Sequence, residues 1–256
     1  MTAPMIFTPE YYQRMRELER DGWWNAAMRD IAAMLLRRAD LPLRGTMLDV
    51  GCGSGQTMGW FESLYPRWRA VGLDVAPEGL DAARASGAHV AQASGLALPH
   101  ADRSIDLVIT LDVVQHLPLS GGDVRTLGEI RRVLRRGGLV LLRTNAQAFP
   151  RVGDDPTFNF HRYEPGELLT KLRAVGFEVV RLSRVNSVLG LAEIPRELRA
   201  ARRNGDVRYH GILATPEPSR WWTGGLKRRW LRLEGRAVAA GMKLPFGRSI
   251  FALCRA

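Results

Sequence analysis

Glycines and an acid follow one apolar run at a spacing that suits the binding of an organic cofactor. In the stretch "TMLDVGCGSGQT", Gly51, Gly53 and Gly55 occupy alternate positions directly after residues 46–50. Glycine lets the backbone bend sharply and approach another molecule closely. Asp49 stands two residues before the first glycine, where its carboxylate can face a cationic amine. The stretch therefore predicts a ligand-binding loop that follows a strand.

A second acid, Asp74, ends the next apolar run, "RAVGLDV". A carboxylate about twenty residues beyond a glycine loop can accept hydrogen bonds from both hydroxyls of a ribose. The glycines do not follow the G-x-G-x-x-G spacing of a dinucleotide site, and Gly59 does not restore it. The Gly-Lys-Ser/Thr of a phosphate-binding loop is also missing after these glycines. The pattern favours a nucleoside that carries an amine over a nicotinamide dinucleotide.

The elements that must position these residues alternate between short apolar runs and amphipathic helices. Strands rich in Val, Ile and Leu that alternate with helices predict a parallel sheet covered on both faces. Helices are predicted over 9–38, over "EGLDAARASG", over "DVRTLGEIRRVLRRGG" with its end at Gly137-Gly138, and over "EPGELLTKLRAVGF". The predicted strands are 46–50, 69–75, 88–93, 105–111, 138–144, 177–185 and the closing run "SIFALCRA".

Composition limits the class of protein. The 256 residues, 46% of them hydrophobic, suit one α/β domain, and no run reaches the roughly 18 to 20 apolar residues of a membrane span. The first residues lack the pattern of a signal peptide. Cys52 and Cys254 lie far apart and provide neither a disulfide framework nor a zinc spacing. We expect a soluble, cytoplasmic protein without a metal site.

The net charge of +11 is concentrated near the end of the chain, where residues 220–256 carry nine basic residues and one acid. Within this region Trp222, Leu226, Trp230, Leu233 and Ala237 form a stripe at helical spacing. Two interpretations stay open for the segment 219–242: a helix that lies on an anionic membrane surface, and an ordinary helix that packs its stripe on the domain.

The sequence resembles the class I S-adenosylmethionine-dependent methyltransferases, in particular the broad small-molecule group that includes quinone-biosynthesis enzymes. The resemblance covers residues 46–186 and rests on "LDVGCGSG", "GLDVAPEGLDAAR", "LPHADRSIDLVITLDVVQHL", "EIRRVLRRGGLVLLRT" and "YEPGELLTKLRAVGFEVV". It implies one Rossmann-like domain over 1–256 with a seven-stranded, mostly parallel sheet and helices on both faces. Its parts would be an N-terminal helical cap (1–40), a cofactor-binding core (41–186), a helical insertion that forms a lid or surface helix (187–248) and a closing strand (249–256).

The resemblance assigns the cofactor, S-adenosylmethionine, to residues at the ends of four strands. Asp49 would hold the methionine amine, Asp74 the ribose hydroxyls, and Val75 would pack on the adenine. Many relatives have Asp at the position of Ser94, so the contact to the adenine amino group is in question here. The other implied cofactor residues are Gly51, Cys52, Gly53 and Gly55 in the loop, Gly95 and Leu96 beside the adenine, Leu111 and Asp112 near the sulfonium, and Arg29 at the carboxylate.

Two histidines are candidates for a general base, which a hydroxyl or amine acceptor benefits from. His116 follows the strand 105–111, and His161 lies in a segment that in this family tends to fold over the substrate. There Phe158, Phe160 and Tyr163 would wall a pocket and Arg162 would meet an anionic group. A purely local structural role is the alternative for both histidines.

Three interpretations of function follow. The first is metal-free O-methylation of a small molecule such as a secondary metabolite, a sugar or glycan, or a lipid precursor. The second is methylation of RNA or protein, although no RNA-binding module is visible in the sequence. The third is a membrane-surface or partner-binding protein that uses the fold as a scaffold.

Overall fold

The computed structural model describes residues 22–147, 160–191, 195 and 221–256, and its strands form one seven-stranded sheet in the order β3-β2-β1-β4-β5-β7-β6. The strands are β1 (Thr46–Val50), β2 (Arg69–Asp74), β3 (Val90–Gln92), β4 (Ile105–Leu111), β5 (Leu134–Asn145), β6 (Glu178–Val185) and β7 (Ser249–Arg255). The helices are α1 (Trp23–Leu36), α2 (Gln56–Leu64), α3 (Pro77–Ala85), α4 (Gly122–Val133), α5 (Pro165–Ala174) and α6 (Trp221–Ala239), with a 3-10 turn at Val114–His116.

The sheet is mostly parallel, as the sequence predicts. β1 pairs in parallel with β2 and β4, and β4 in turn with β5. β7 runs antiparallel between β5 and β6. The carboxyl ends of β1, β2, β4 and β5 therefore meet at one edge, which is where open α/β sheets bind ligands.

Helices cover both faces of the sheet because the central strands are apolar on both sides. In β4, Leu107 and Ile109 face one hydrophobic cluster, together with α1, α2, α3 and α6. Val108 faces the other cluster, with α4 and α5. All three side chains are fully buried. This arrangement fixes the strand ends that carry the candidate site.

Several element boundaries differ from the sequence prediction, and the sheet pairing explains two of them. α4 ends at Val133, not at Gly137-Gly138, because Leu134 already pairs with Ile105 of β4 and starts the strand. β3 spans only Val90–Gln92, with Ala91 and Gln92 exposed, since this strand lies at the edge of the sheet. The predicted cap residues before 22, Phe158 and much of the predicted insertion lie outside the described residues.

α6 packs on α1 through a different face from the predicted stripe. Its buried positions include Gly224, Leu231 and Val238, whereas the stripe residues Leu226 and Leu233 are 69% and 53% exposed. The interpretation that the stripe packs on the domain is therefore wrong for these residues. The side chain of Trp222 is not among those described. None of the described helices is long and apolar enough to cross a membrane.

Small residues explain why the stripe did not reveal the packing face. A Cβ added at Gly235 would come within 2.8 Å of Ile31 Cγ1, and one at Gly224 within 3.1 Å of Trp23 Cβ. The helices approach closely at glycines, which carry no hydrophobic signal in the sequence. Arg228 adds an ion pair, with its Nε 2.7 Å and its Nη2 3.1 Å from the two carboxylate oxygens of Asp30.

Candidate active site

The glycine loop after β1 is held against the end of β2. The backbone N–H groups of Gly51 and Cys52 both donate to the carbonyl of Leu73, at 2.7 and 2.9 Å. Gly51, Gly53 and Gly55 all have positive φ, of 78°, 49° and 79°, which favours glycine. A Cβ at Gly51 would lie 2.3 Å from Val113 Cγ2. Glycine is thus needed there both for the backbone angle and for the close approach to the end of β4.

Asp74 organises the loop from the end of β2. Its carboxylate is buried and accepts hydrogen bonds from the backbone N–H of Gly53 (2.8 Å) and of Ala76 (3.0 Å). An ionised carboxylate has about four lone-pair positions and can accept from several donors at once. The next residue, Val75, is 41% exposed and offers an apolar surface beside that carboxylate.

Cys52 lies in the same loop and is unsuited to act as a nucleophile. Burial raises the pKa of its thiol well above the ordinary range, and the negative charges of Asp49 and Asp74 raise it further. The thiol therefore stays protonated, whereas reactive cysteines are thiolates. The same two carboxylates make this end of the sheet electronegative, which suits a cationic ligand. Asp49 is almost fully buried, with 2% exposure.

The segment after β3 closes the site on the side of Asp74. The N–H of Ala93 donates to the carbonyl of Asp74 (3.0 Å), and the N–H of Leu96 donates to Ser94 Oγ (3.2 Å). A Cβ at Gly95 would lie 3.1 Å from Thr126 Cγ2. Ser94, Gly95 and Leu96 thus lie in a short turn that α4 and the end of β2 hold in place.

Asp112 follows β4 in a left-handed conformation, with φ 60°. Arg143 of β5 lies almost fully buried beside it, with Nε 3.0 Å from Oδ1 and Nη2 in contact with Oδ2. The backbone adds a third link, from the N–H of Asp112 to the carbonyl of Arg143 at 2.9 Å. Leu111 pairs with Arg143 in the sheet register. Asp112 is therefore fixed at the site edge by a residue that the sequence interpretation did not name.

Phe160 and Arg162 lie beside the turn that follows β4. The ring of His116 packs on the buried Phe160 ring with centroids 5.1 Å apart. The Arg162 guanidinium carbon lies 4.8 Å from the Phe160 centroid, a cation–π arrangement. The structure thus brings His116 together with Phe160 and Arg162, which the sequence placed in a different segment.

His161 and Tyr163 join a second polar group that ties the same segment to α4 and α5. His161 Nε2 lies 3.0 Å from Glu167 Oε1, and the Tyr163 hydroxyl donates to Asp123 Oδ2 at 2.9 Å and to the Val114 carbonyl at 3.2 Å. Tyr163 is 1% exposed, so its hydroxyl makes these hydrogen bonds in the interior of the protein. The N–H of His161 donates to the Gln115 carbonyl at 2.8 Å, which links the histidine to the turn after β4.

Arg29 lies half-buried on α1. The neighbouring Met28 shares a hydrophobic cluster with Cys52 of the glycine loop. α1 therefore packs on the same face of the sheet as α2, α3 and α6. No group of three His, Cys, Asp or Glu side chains among the described residues is arranged to hold a metal ion.

The donor set fits S-adenosylmethionine. The buried carboxylates Asp49 and Asp74 suit a cationic amine and a pair of ribose hydroxyls, respectively. Val75 offers the apolar surface that an adenine needs. The side of the loop at Gly51 has no room for a Cβ because Val113 already fills it.

Sequence comparison connects this geometry to known proteins. The model of the methyltransferase domain family matches residues 48–142, which include the loop, Asp74 and β4. A probable S-adenosylmethionine-dependent methyltransferase of Mycolicibacterium smegmatis is 30% identical over 164 residues, 63% of this chain and 61% of the relative. The trans-aconitate 2-methyltransferase of an Azoarcus species is 32% identical over 140 residues, 54% of this chain and 52% of the relative. The chain spans about half the length of such curated relatives.

Structural comparison supports the fold. Phosphoethanolamine N-methyltransferase 2 of Haemonchus contortus, solved in complex with S-adenosyl-L-methionine, matches with a TM-score of 0.61 at 16% identity, over 98% of this chain and 58% of that one. The strand order and the matched domain agree with one another. The family model over residues 48–142 and these relatives support an S-adenosylmethionine-dependent methyltransferase domain of class I within this chain.

Proposed function

We propose that this chain transfers the methyl group of S-adenosylmethionine to a small molecule, by metal-free in-line displacement and with an oxygen atom as the favoured acceptor. The observation that carries the proposal is the Asp74 carboxylate, which the backbone of Gly53 and Ala76 fixes beside the glycine loop. The proposed acceptors are a secondary metabolite, a sugar or glycan, or a lipid precursor. The relative named trans-aconitate 2-methyltransferase supports the small-molecule class.

The residues around the loop would hold the cofactor, whose sulfonium supplies an already activated methyl group. Asp74 accepts the ribose hydroxyls, Asp49 faces the methionine amine, and Val75 with Ser94, Gly95 and Leu96 borders the adenine. The backbone at 51–55 lines the methionine, and Arg29 is assigned to its carboxylate. Holding donor and acceptor in line can lower the barrier by several kcal/mol, about 7 or more in the best cases.

The acceptor is proposed to lie between Asp112 at the end of β4 and the segment 160–163. Asp112 is held by Arg143 and is positioned to orient a polar group of the acceptor. Phe160 would exclude water from that side, and Arg162, which is stacked on its ring, would meet an anionic group. Tyr163 has its hydroxyl bound to Asp123, so we assign it to the wall and not to acceptor recognition.

For proton removal we propose His161, with Glu167 as the residue that orients it. A carboxylate beside Nε2 would orient the imidazole so that Nδ1 accepts the proton. His116 is the alternative base. His161→Asn should lower kcat by about 100-fold or more, and Glu167→Gln should shift the pH profile of kcat with a smaller loss. A large loss in His116→Asn with a near-normal His161→Asn would assign the base to His116.

Calorimetry with S-adenosylhomocysteine tests the cofactor site. Asp74→Ala should weaken binding at least about tenfold, since a hydrogen bond to a charged group contributes about 1.5–3 kcal/mol. Asp81→Ala, an exposed acid on α3 whose side chain is 76% exposed, is the matched control and should bind like the parent. The absence of binding by the parent chain would refute the proposal.

Transfer of an isotope-labelled methyl group tests the acceptor class. The chain is incubated with labelled S-adenosylmethionine and separated small-molecule, RNA and protein fractions, with and without a metal chelator. We expect the label to enter the small-molecule fraction, attached through oxygen. The rate of labelling should be the same with and without the chelator. Label in RNA or protein alone, or complete inhibition by the chelator, would contradict the proposal.

A further inference from the structure

α6 has a second apolar face, which we call the outer face and define by Leu226, Trp230 and Leu233. These side chains are 69%, 42% and 53% exposed. At about 100° per residue they form one stripe, which points about 120° away from the buried positions Leu231 and Val238. Exposed contiguous apolar stripes of this kind mark interaction sites, whereas single exposed apolar residues are ordinary.

The tryptophan of the outer face is held in a fixed orientation. Trp230 Nε1 donates to Glu234 Oε1 at 3.0 Å, and Glu234 is 7% exposed. Glu234 also accepts hydrogen bonds from Ser187 Oγ (2.8 Å) and from the Ser187 N–H (3.1 Å). The polar edge of the indole is therefore satisfied inside the protein while part of its ring faces outward. A rigid, half-exposed indole suits the boundary between water and lipid headgroups.

Basic residues flank the outer face on one side. Arg229, Arg232 and Arg236 are exposed at helical spacing, and Arg232 Nε lies 3.8 Å from Asp30. Glu234 is the only acid after residue 220 in the sequence. Because it is buried, no acid of α6 stands among the exposed arginines. The flank is therefore complementary to an anionic partner.

We propose that the outer face of α6 rests on an anionic lipid bilayer. Leu226, Trp230 and Leu233 would enter the boundary between headgroups and acyl chains, and Arg229 and Arg236 would contact lipid phosphates. The exposed Val188 and Leu191 follow Ser187, which Glu234 binds, and they extend the apolar area. The proposal does not depend on methyl transfer, since it concerns binding alone.

Charge distinguishes the bilayer from other occupants. A second copy packed on the same face in a symmetric dimer would bring the two arginine rows together, and like charges across an interface are unfavourable. Nucleic acid would satisfy the arginines but would leave the leucines uncovered, and its binding relies on basic and stacking groups. A bilayer with anionic headgroups matches both the leucines and the arginines.

Flotation with vesicles tests the apolar half of the proposal. The full chain should float with vesicles of equimolar phosphatidylcholine and phosphatidylglycerol and much less with phosphatidylcholine alone. Leu226→Gln should lower the partition coefficient about tenfold. Leu43→Gln is the matched control, because Leu43 is 73% exposed and lies outside α6.

The arginines are tested separately. Arg229→Gln/Arg236→Gln should lower the partition coefficient about fivefold per arginine at low salt, whereas the exposed pair Arg67→Gln/Arg136→Gln should leave it near the parent value. Equal losses in test and control variants, or absence of flotation by the parent, would overturn the proposal. A parent that is dimeric in sedimentation and becomes monomeric in Leu226→Gln would show that a second copy occupies the face, which also overturns it.

Discussion

Arg143 holds the carboxylate of Asp112 from inside the sheet. The guanidinium is 6% exposed and contacts both carboxylate oxygens, while the Asp112 side chain is 37% exposed. Asp112 also has a left-handed backbone, a conformation that is uncommon outside glycine and costs free energy unless its surroundings support it. The ion pair therefore links the packing of β5, which carries Arg143, to the position of the Asp112 carboxylate at the site.

A double-mutant cycle measures this connection. Arg143→Met should lower the free energy of unfolding by about 2 kcal/mol, less than the 3–5 kcal/mol of a fully buried pair because Asp112 is partly solvated. Asp112→Asn should cost at least as much, since it leaves a buried guanidinium without its counter-charge. Urea unfolding of the single and double variants gives the coupling. Strictly additive losses would show that the pair contributes nothing as a unit.

Gly51 provides a second test, because the cost of its positive φ can be measured separately from the cost of a clash with its surroundings. Gly51→Ala adds the cost of a positive φ, about 1–2 kcal/mol, to a clash with Val113. Gly87 has a similar φ of 84° and nothing within 4 Å of an added Cβ, so Gly87→Ala carries the first cost alone. We expect Gly51→Ala to lose at least about 2 kcal/mol more than Gly87→Ala.

Thermal or urea unfolding of both variants, with calorimetry against S-adenosylhomocysteine, checks this. Gly87→Ala should bind the ligand normally, and Gly51→Ala should bind poorly even where it is folded. Val113→Ala in the Gly51→Ala background should restore part of the stability because it removes the clashing Cγ2. Equal losses of stability in the two glycine variants would refute the role of the close approach.

The sequence predicted the strands best where most residues are buried. β1 and β4 span the predicted ranges 46–50 and 105–111, because a continuous apolar run bounded by polar residues has few alternatives. The predicted end of α4 was wrong. Two glycines mark a turn, but they do not indicate how early the chain begins to pair with the sheet. The length of β3 depends on how many of its residues pair at the sheet edge, and the apolar pattern does not show this.

The candidate site shows the same limit. Asp49, the glycines and Asp74 lie close along the chain and have a recognisable spacing, so the sequence predicts them together. Arg143 acts through Asp112, 31 residues away. Its only signal was a charged residue inside the apolar run "GLVLLRT". A buried charge has to find a partner in the fold, but the sequence does not say which.

The group formed by Asp123, Lys171 and Glu167 predicts how stability depends on pH. Burial alone would raise the pKa of Asp123, but hydrogen bonds from Lys171 and Tyr163 outweigh it and the pKa is lowered. Burial likewise opposes the charge of Lys171, but both carboxylates raise its pKa. Asp123 thus contributes stability that is fully present above the ordinary aspartate pKa, about 3.9, and is lost as pH falls through the lower folded value. The contribution of Lys171 is present below about 10.4 and is lost at higher pH.

Lys171→Met should change this profile. Without the lysine, burial would dominate at Asp123, so its pKa would rise and stability would begin to fall at a higher pH than in the parent. Urea unfolding between neutral pH and pH 4 measures the difference. Lys243→Met, at an exposed lysine, is the control and should follow the parent curve. Parallel curves for the parent and Lys171→Met would show that Lys171 does not set the pKa of Asp123.

The contact between α6 and α1 makes opposite predictions for two glycines of one helix. Gly225 is exposed and has nothing within 4 Å of an added Cβ, so Gly225→Ala should stabilise the chain by about 0.5–1 kcal/mol through helix propensity. Gly235→Ala gains the same propensity but places its Cβ 2.8 Å from Ile31 Cγ1 and 3.2 Å from Met34 Sδ.

Ile31 is fully buried and its Cγ1 is not the end of a flexible chain, so the two helices would have to separate. Such overpacking costs about 1–3 kcal/mol, which exceeds the gain, and Gly235→Ala should be destabilising overall. Urea unfolding of Gly225→Ala and Gly235→Ala shows whether the two substitutions change the free energy of unfolding in opposite directions. Stabilisation by both would mean that α6 does not pack on α1 through its glycines, and the face of α6 that is left outside would then have to be assigned again.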